Sequence, residues 1–319
     1  MSAKILERLP RISRPRFEQG VRCIARPVRT TRSRLSTAAS PTSSVNEEEI
    51  KFFSRLASQW WDESGEFGLL HRMNPVRVRF IRNKLLEVAR DDGLDAEENA
   101  EESAKVLNGL EVLDIGCGGG LLSESLARLG ARTVGIDASS QNIAIASLHA
   151  SQDPTLRSSA LDYRNSSAEE LVNETRRFDI VCSMEVLEHV DNPAVFLQSC
   201  AELVKPGGHL FLSTISRTPL AYLLTIFAAE KMLGLVQPGT HTYDKYVKPA
   251  ELIDFFRKPV GDAGRPWIAD LYGGIPPRNE AEVRGIAYLP WKGAWELAPR
   301  GAFGSTECNY LFWARKPVS

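Results

Sequence analysis

The chain has 319 residues, of which 43% are hydrophobic and 25% are charged. These are the proportions of a globular protein with enough apolar residues for a core. The formal net charge of -1 gives no overall attraction to a polyanion, which argues against a general DNA- or RNA-binding protein. The five cysteines form no C-x-x-C pair, so the sequence indicates neither a zinc site nor a disulfide framework.

The near-zero net charge hides a basic N-terminal segment, residues 1–44. This segment holds ten Lys and Arg residues and only two acids, Glu7 and Glu18, and it is rich in Ser and Thr. Its composition is typical of a mitochondrial transit peptide, since a secretory signal would need an apolar central run. The alternative is a disordered basic arm that binds polyanions. We predict a disordered transit peptide over residues 1–44, cleaved before Val45, and one large domain over residues 45–319.

The domain is predicted to begin with a helical cap over residues 45–90, formed by two helices and a loop. Asn46 is a suitable N-cap, and the three glutamates after it suit the start of a helix. Residues 91–109 are acidic with few apolar side chains, which predicts a surface loop. Short apolar runs then alternate with helical segments. This alternation predicts an α/β fold with a doubly wound, mostly parallel sheet and helices on both faces.

The clearest binding motif is the glycine-rich stretch "VLDIGCGGGLLSESLARLG". An apolar strand runs into Gly116, Gly118 and two further glycines, and a helix follows at once; such glycines let a ligand approach the main chain. A dinucleotide loop, G-x-G-x-x-G, would need glycine where this chain has Leu121. With Asp114 two residues before Gly116, the pattern D-x-G-x-G-x-G indicates a cofactor with an ammonium-bearing tail and no pyrophosphate. The alternative is a glycine-rich turn without a ligand.

A second cofactor residue is predicted at the end of the next strand, "RTVGID". Asp137 follows the glycine loop by about twenty residues, where an acid can accept both ribose hydroxyls. The alternative is an N-cap for the helical segment that begins at Ser139. An acid also serves NAD at this position, so Asp137 indicates a ribose without selecting the cofactor.

Three polar residues close together, Glu185, Glu188 and His189, follow the fourth apolar strand in "CSMEVLEHVDNP". Their spacing of three and four residues places them on one face if the segment is a helix. Two carboxylates with an imidazole suit magnesium, manganese or zinc. Two alternatives stay open: the polar first turn of a helix, and His189 acting as a general base.

Taken together, these stretches resemble the class I methyltransferases that use S-adenosylmethionine. The resemblance is closer still to the ubiquinone-biosynthesis O-methyltransferases, through "RLASQWWDESGEFGLLHRMNPVR", "MEVLEHV", "GTHTYDKYVKPAEL" and the terminal "NYLFW". It covers roughly residues 48–313, and the tryptophan pair with "GEF" and "HRMNP" is its most specific part. Residues 91–103 and 257–280 depart from the family pattern, which puts loop lengths in doubt.

The resemblance implies which residues contact S-adenosylmethionine. Met184 ends the fourth strand, where its soft side chain can pack on the adenine. Arg77 can pair with the methionine carboxylate, although by itself an arginine in "VRVRFIRNK" indicates solvated surface. Ser167 and Ala168 are weaker candidates at the adenine edge. The full implied set is Arg77, Gly116, Gly118, Asp137 and Met184.

The resemblance also implies a divalent metal, magnesium foremost, bound by Glu185, Glu188 and His189. A phenolic hydroxyl has a pKa of about 10 and is a poor nucleophile at neutral pH. A cation that binds both oxygens of a catechol would favour the deprotonated form and align it with the methyl group.

An apolar insertion is predicted after the fifth strand, over residues 216–250. Its segment from Pro219 to Val236 is too short and too charged, at Glu230 and Lys231, to span a membrane. We expect a helix that lies on the membrane surface or covers a polyprenyl tail, with core packing as the alternative. Further candidates, each with ordinary surface as its alternative, are Leu223, Leu224 and Phe227 for lipid contact, His241 and Tyr243 for the active site, and Lys245 and Lys248 for anionic lipid.

The sequence therefore predicts a mitochondrial O-methyltransferase. The resemblance implies transfer of a methyl group to catechol-type hydroxyls of polyprenylated ubiquinone precursors, at the dihydroxybenzoate and demethylubiquinol steps. It implies peripheral contact with the matrix side of the inner membrane and membership of a coenzyme Q biosynthetic complex. The alternatives are a methyltransferase of another small phenol, an NAD(P)-dependent oxidoreductase, which Leu121 disfavours, and a catalytically silent assembly subunit.

Overall fold

The structure is a computed structural model that describes residues 43–93, 106–156, 161–226 and 242–318. Residues 1–42 of the predicted transit peptide lie outside the described residues, as does most of the acidic connector. Within the predicted insertion, Phe227, Glu230, Lys231 and His241 also lie outside them.

Within the described residues, eight strands form one sheet in the order β3-β2-β1-β4-β5-β8-β6-β7. The first five strands pair in parallel, and β8, β6 and β7 add antiparallel pairs beyond β5. The predicted doubly wound, mostly parallel sheet is therefore confirmed. The strands are β1 (Glu111–Ile115), β2 (Arg132–Asp137), β3 (Leu161–Asn165), β4 (Phe178–Met184), β5 (Val204–Ile215), β6 (Ala281–Leu289), β7 (Ala294–Leu297) and β8 (Asn309–Arg315).

Helices flank the sheet, and the first two, α1 and α2, lie where two helices of an N-terminal cap are predicted. The side chain of Asn46 accepts a hydrogen bond from the Glu49 amide, as an N-cap does, and three glutamates fill the first turn of α1. The π-helical residues 222–226 continue the short α7. The helices are α1 (Glu47–Leu56), α2 (Gly68–Asp91), α3 (Leu121–Arg128), α4 (Ser140–Gln152), α5 (Ala168–Val172), α6 (Pro193–Leu203), α7 (Pro219–Ala221) and α8 (Pro249–Phe256).

The core has two layers because the central strands are buried on both faces. Leu113 and Val181 belong to the cluster that includes α6 and α8. Their chain neighbours Val112 and Ile180 belong to the cluster on the opposite face, with α2 and α3. Successive side chains of a strand point to opposite faces, so a strand covered on both sides reads as a continuous apolar run.

The site is positioned by the strand order, which reverses direction between β1 and β4. Strands β1 and β4 pair directly, while the chain between them passes through β2 and β3 on one side. Open α/β sheets bind ligands in the crevice outside the carboxyl ends of the strands at such a switch point. The glycine loop follows β1, and Glu185, Glu188 and His189 follow β4, so both motifs lie at this crevice.

Candidate active site at the carboxyl edge of the sheet

A cavity of about 700 Å³ lies at the carboxyl edge of the sheet, lined by residues of α1, α2, the glycine loop and the ends of β2, β4 and β5. The structure brings together at this one cavity residues that are far apart in the sequence. The weaker candidates Ser167 and Ala168 line it as well. All eight predicted cofactor and metal residues are among its lining residues: Arg77, Gly116, Gly118, Asp137, Met184, Glu185, Glu188 and His189.

The glycine loop needs glycine for two reasons. Gly116, Gly118 and Gly120 have φ of +71°, +55° and +90°, a region that side chains with a Cβ disfavour. Space is also absent: a Cβ on Gly118 would lie 2.2 Å from the ring of Trp60, and one on Gly116 would lie 2.4 Å from Val186. The loop therefore needs glycine both for its backbone conformation and for its close packing against neighbouring side chains.

The tryptophan pair, which the sequence singles out only through the family resemblance, holds this loop in place. Trp60 donates its indole N–H to Asn142 of α4 at 3.0 Å, and its ring stacks on Phe67 with centroids 3.9 Å apart. Trp61 donates its indole N–H to the carbonyl of Gly119 at 3.0 Å. The N-terminal cap is thus hydrogen-bonded to the loop and to α4.

Asp137 faces the same loop from the end of β2. One carboxylate oxygen accepts from the Gly118 amide at 2.9 Å, and the other accepts from the Ser139 amide at 2.8 Å and from Asn142. Burial raises the pKa of Asp137, and these hydrogen bonds act to lower it. The N-cap of α4 is Ser139, so the alternative of Asp137 as the helix cap is wrong.

Asp114, the acid before the glycines, is buried beneath the loop. Its carboxyl group accepts a hydrogen bond from the Ser123 hydroxyl of α3 at 2.6 Å. Burial raises the pKa of Asp114 to about 7, against the opposing effects of Ser123 and Arg77. Asp114 therefore ties the end of β1 to the helix that follows the loop.

Arg77 is only 4% exposed, so the interpretation of this arginine as solvated surface is wrong. Its Nη2 lies 3.6 Å from Oε1 of Glu185. Within the part of the chain that the structure describes, Nε and Nη2 of Arg77 and Oε1 of Glu185 are buried without a hydrogen-bond partner. Burial lowers the pKa of Arg77, and the negative charges of Glu185, Asp114 and Glu188 oppose that effect. A cavity-lining guanidinium with free donors suits a ligand carboxylate.

The segment from Glu185 to His189 is a turn, and the helix begins only at Pro193. The predicted single helical face is therefore wrong. Glu185 has φ of +56°, the only positive φ of a non-glycine residue in the described ranges, which is incompatible with helical continuation from β4. Such strained residues cluster at functional sites.

The three polar side chains of this turn contact different groups. Glu185 lies beside Arg77, as described above. Glu188 is buried and accepts a hydrogen bond from the Thr214 hydroxyl at 2.7 Å. His189 contacts Oε2 of Glu49 through Nδ1 at 3.2 Å. Among the described residues no group of three His, Cys, Asp or Glu side chains is arranged to hold a metal ion.

The carboxylate pair nevertheless fits a cation in its chemistry. Burial, followed by the charge of Glu185, raises the pKa of Glu188 well above its usual value. A divalent ion would relieve this repulsion and would give the orphaned oxygen of Glu185 a partner. His189 would add a nitrogen ligand through the ring nitrogen that Glu49 does not contact.

Several cavity residues were not predicted as site residues. Glu49 of α1 and Asn309 of β8 line the cavity, and Asn309 was visible in the sequence only as the first residue of "NYLFW". Burial acts to raise the pKa of Glu49, but hydrogen bonds and charges from His189 and Lys245 lower it overall. Lys245 is paired with Glu49 at 3.1 Å, and its contact with anionic lipid stays a prediction. Tyr243 is not among the lining residues and packs edge-on against two other tyrosines.

The described part of the insertion has one buried and one exposed side. Ala221 and Ile226 pack with Ile215 in a small apolar cluster. On the other side, Leu220, Tyr222, Leu223 and Leu224 are between 42% and 50% exposed. Leu220 and Leu224 also line the cavity. No helix within the described ranges is long and apolar enough to cross a membrane.

The strand order, the glycine loop after β1 and the acid at the end of β2 define a class I methyltransferase that uses S-adenosylmethionine. The chain matches the methyltransferase-domain family over residues 70–258. A solved structure of magnesium protoporphyrin IX methyltransferase from Synechocystis PCC 6803 with bound SAH aligns at 18% identity and a TM-score of 0.49, over 83% of this chain and 94% of that one.

Three curated relatives are much more similar in sequence. The chain is 40% identical to a mitochondrial ubiquinone biosynthesis O-methyltransferase of Rattus norvegicus, over 90% of this chain and 74% of the relative. It is 41% identical to a mitochondrial one of Arabidopsis thaliana, over 89% and 78%, and 41% identical to one of Rhizobium etli, over 86% and 98%. The chain belongs to the family of ubiquinone biosynthesis O-methyltransferases.

Proposed function

We propose that this protein transfers the methyl group of S-adenosylmethionine to a catechol-type hydroxyl of a polyprenylated ubiquinone precursor. The observation that carries the proposal is the single cavity that joins the cofactor loop to the turn of Glu185, Glu188 and His189. A methyl donor on the loop and a phenolic acceptor at the turn would then meet without leaving the cavity. The names of the relatives support ubiquinone biosynthesis as the setting.

Each cofactor residue has a role that its surroundings support. Asp137 would accept hydrogen bonds from the ribose hydroxyls. Arg77 uses its free donors for the methionine carboxylate, where a charge-assisted pair is stronger than a neutral one. Met184 packs on the adenine, with Ser167 and Ala168 at its edge.

The acceptor hydroxyl must lose its proton during transfer, since the methyl group then forms a neutral ether and the donor leaves as S-adenosylhomocysteine. His189 is the imidazole available to take that proton. Glu185, Glu188 and His189 are also the residues that would hold a divalent ion, most simply magnesium. Such an ion supplies charge that lowers the pKa of the catechol.

Removal of metal by a chelator separates these two roles. If the ion is required, activity is lost in the chelator and is restored by magnesium or zinc. Full activity in the chelator would reject the ion and leave His189 as the base.

The polyprenyl tail and the membrane are assigned to the apolar insertion. Leu220 and Leu224 belong both to the cavity wall and to the exposed apolar side of α7 and the residues after it. A tail that leaves the cavity there would enter the bilayer directly, as expected for peripheral binding. The names of two relatives support a mitochondrial location. As part of the proposal, the enzyme acts at the matrix side of the inner membrane with a coenzyme Q biosynthetic complex as its partner.

The decisive experiment is a turnover assay with S-adenosylmethionine and a short-tailed prenyl catechol, followed by mass spectrometry of the product. The proposal requires a product heavier by one methyl substitution and one S-adenosylhomocysteine per turnover. Binding of S-adenosylmethionine without turnover would indicate a silent assembly subunit. Calorimetric binding of NADH in place of S-adenosylmethionine would indicate an oxidoreductase.

A further inference from the structure

The N-terminal helix α1 reaches the acceptor side of the cavity through one acidic side chain. Oε2 of Glu49 lies 3.2 Å from Nδ1 of His189, which is 140 positions away in the sequence. Both residues line the cavity, and their side chains are 21% and 14% exposed. The two other glutamates of the same turn, Glu47 and Glu48, are exposed. Glu49 therefore differs from Glu47 and Glu48 because its side chain points towards the cavity and not into solvent.

This contact determines which ring nitrogen of His189 is available. A carboxylate can only accept a hydrogen bond, so Nδ1 must carry the proton that is shared with Glu49. In the neutral ring, Nε2 then keeps its lone pair. A lone pair on Nε2 is what a general base needs and also what a metal ligand needs. Histidines that bind metals commonly donate their other N–H to a carboxylate in this way.

Three further contacts surround the pair, and two of them come from helix α1 itself. Oε1 of Glu49 lies 3.1 Å from Nζ of Lys245. Phe53, one turn further along α1, packs edge-on against the His189 ring with centroids 4.9 Å apart. At the start of the helix, Asn46 donates to the carboxylate of Asp191 at 2.6 Å. The ring of His189 is thus held between two side chains of one helix, and that helix is itself attached to the turn.

We propose that Glu49 is the positioning residue of His189 and that helix α1 completes the acceptor site of the methyltransferase. This inference rests on the proposed function only in giving His189 a role in the reaction. Glu49 acts through the imidazole, whichever of its two roles His189 has. The competing interpretation is that Glu49 only forms an ion pair with Lys245 to hold α1 in place.

The first test compares Glu49→Leu and Glu49→Gln with the matched control Glu48→Gln on the same helical turn. Loss of the acceptor in Glu49→Leu should lower kcat roughly 10- to 100-fold, the usual effect of removing a partner of a functional histidine. Glu49→Gln should lose less, because its amide oxygen still accepts the Nδ1 hydrogen. The control should match wild type. The KM for S-adenosylmethionine should stay within about twofold of the wild-type value in every variant, because the cofactor residues are untouched.

The second test needs no substrate and no metal. Long-range ¹H–¹⁵N correlation spectra of the imidazole nitrogens report the tautomer of each histidine, and the His189 signals are identified by their loss in His189→Gln. Wild type should show a protonated Nδ1 on His189, and Glu49→Leu should shift the ring toward a protonated Nε2. An unchanged tautomer in Glu49→Leu would overturn the proposal even if methyl transfer itself is confirmed.

Lys245→Met distinguishes positioning from simple attachment of α1. This variant removes the ion pair but leaves the contact between Glu49 and His189. We expect kcat within about threefold of wild type and an unchanged His189 tautomer, since the hydrogen-bond acceptor remains. If Lys245→Met lowered kcat as strongly as Glu49→Leu while the tautomer stayed the same, the structural interpretation would be correct.

Discussion

Replacing Gly118 by alanine tests whether the glycine loop is shaped by backbone conformation alone or also by Trp60. The φ of +55° costs alanine about 1–2 kcal/mol, since only glycine adopts this region freely. The new Cβ would lie 2.2 Å from the Trp60 ring, and overpacking of this kind costs about 1–3 kcal/mol. We therefore expect the free energy of unfolding to fall by about 2–5 kcal/mol in total.

Gly93 offers a matched control. Its φ is +69°, and a Cβ built on it meets no described residue within 4 Å, so we expect Gly93→Ala to carry mainly the backbone cost. Urea unfolding followed by tryptophan fluorescence measures both variants. The difference between them is the contribution of packing against Trp60, and we expect it to be about 1–3 kcal/mol.

A double-mutant cycle with Trp60→Ala completes the test. If the ring causes the extra loss, the effect of Gly118→Ala should shrink to that of Gly93→Ala once the ring is removed, a coupling of about 1–3 kcal/mol. If Gly118→Ala and Gly93→Ala lowered the free energy of unfolding equally in the presence of Trp60, the packing argument would be refuted. Gly118→Ala should also lower the affinity for S-adenosylmethionine, measured by calorimetry, because the new Cβ would displace the Trp60 ring towards the cavity.

Three further predictions concern the cofactor, pH and the membrane. Arg77→Met should weaken binding of S-adenosylmethionine in calorimetry by about 1.5–3 kcal/mol, the contribution of a hydrogen bond to a charged group; unchanged affinity would exclude Arg77 from the carboxylate. Because burial raises the pKa of Asp114 to about 7, the folded chain keeps a proton that the unfolded chain loses near pH 4. The contribution of Asp114 to stability is therefore present below about pH 4 and is lost as the pH rises to about 7. Since asparagine does not ionise, the free energy of unfolding of Asp114→Asn, measured in urea, should rise relative to wild type by up to about 4 kcal/mol across that window. Changing Leu223 and Leu224 together to glutamate should reduce cosedimentation with anionic liposomes, whereas Leu148→Glu, at a leucine of α4 that is 58% exposed, should not.

Much of the site follows from short stretches of sequence because its determinants are local. The glycine loop was predicted from Gly116 and Gly118, since a strand that runs into glycines and then a helix can form only a tight turn. Asp137 is predicted as a site residue because the end of the next parallel strand meets the same edge of the sheet, and in the structure it lines the cavity. The N-cap Asn46 was equally local, as the acceptor and the amide that it caps are three residues apart.

Tertiary contacts decided what the local patterns could not. Arg77 lies on a helix with several charged neighbours, and only the packing of α2 against the sheet shows that it is buried. Spacing predicted that Glu185 and Glu188 share a helical face, whereas the chain turns at Glu185 with a positive φ as it leaves β4. A prediction from residue spacing assumes that the helix continues, so it fails where one residue has φ and ψ outside the helical region.

The pairing of Glu49 with His189 is likewise a tertiary contact that local sequence patterns do not predict, here between residues far apart in the chain. In the sequence, Glu49 is the third of three equivalent glutamates at a helix start, and nothing local distinguishes it. The fold selects it by placing α1 over the turn after β4. The sequence by itself therefore determined the class of fold, the cofactor loop and the set of polar residues, because each depends on neighbours in the chain. Only the tertiary structure decided which charges are buried, which face one another and which helix closes the site, because those depend on residues that meet after folding.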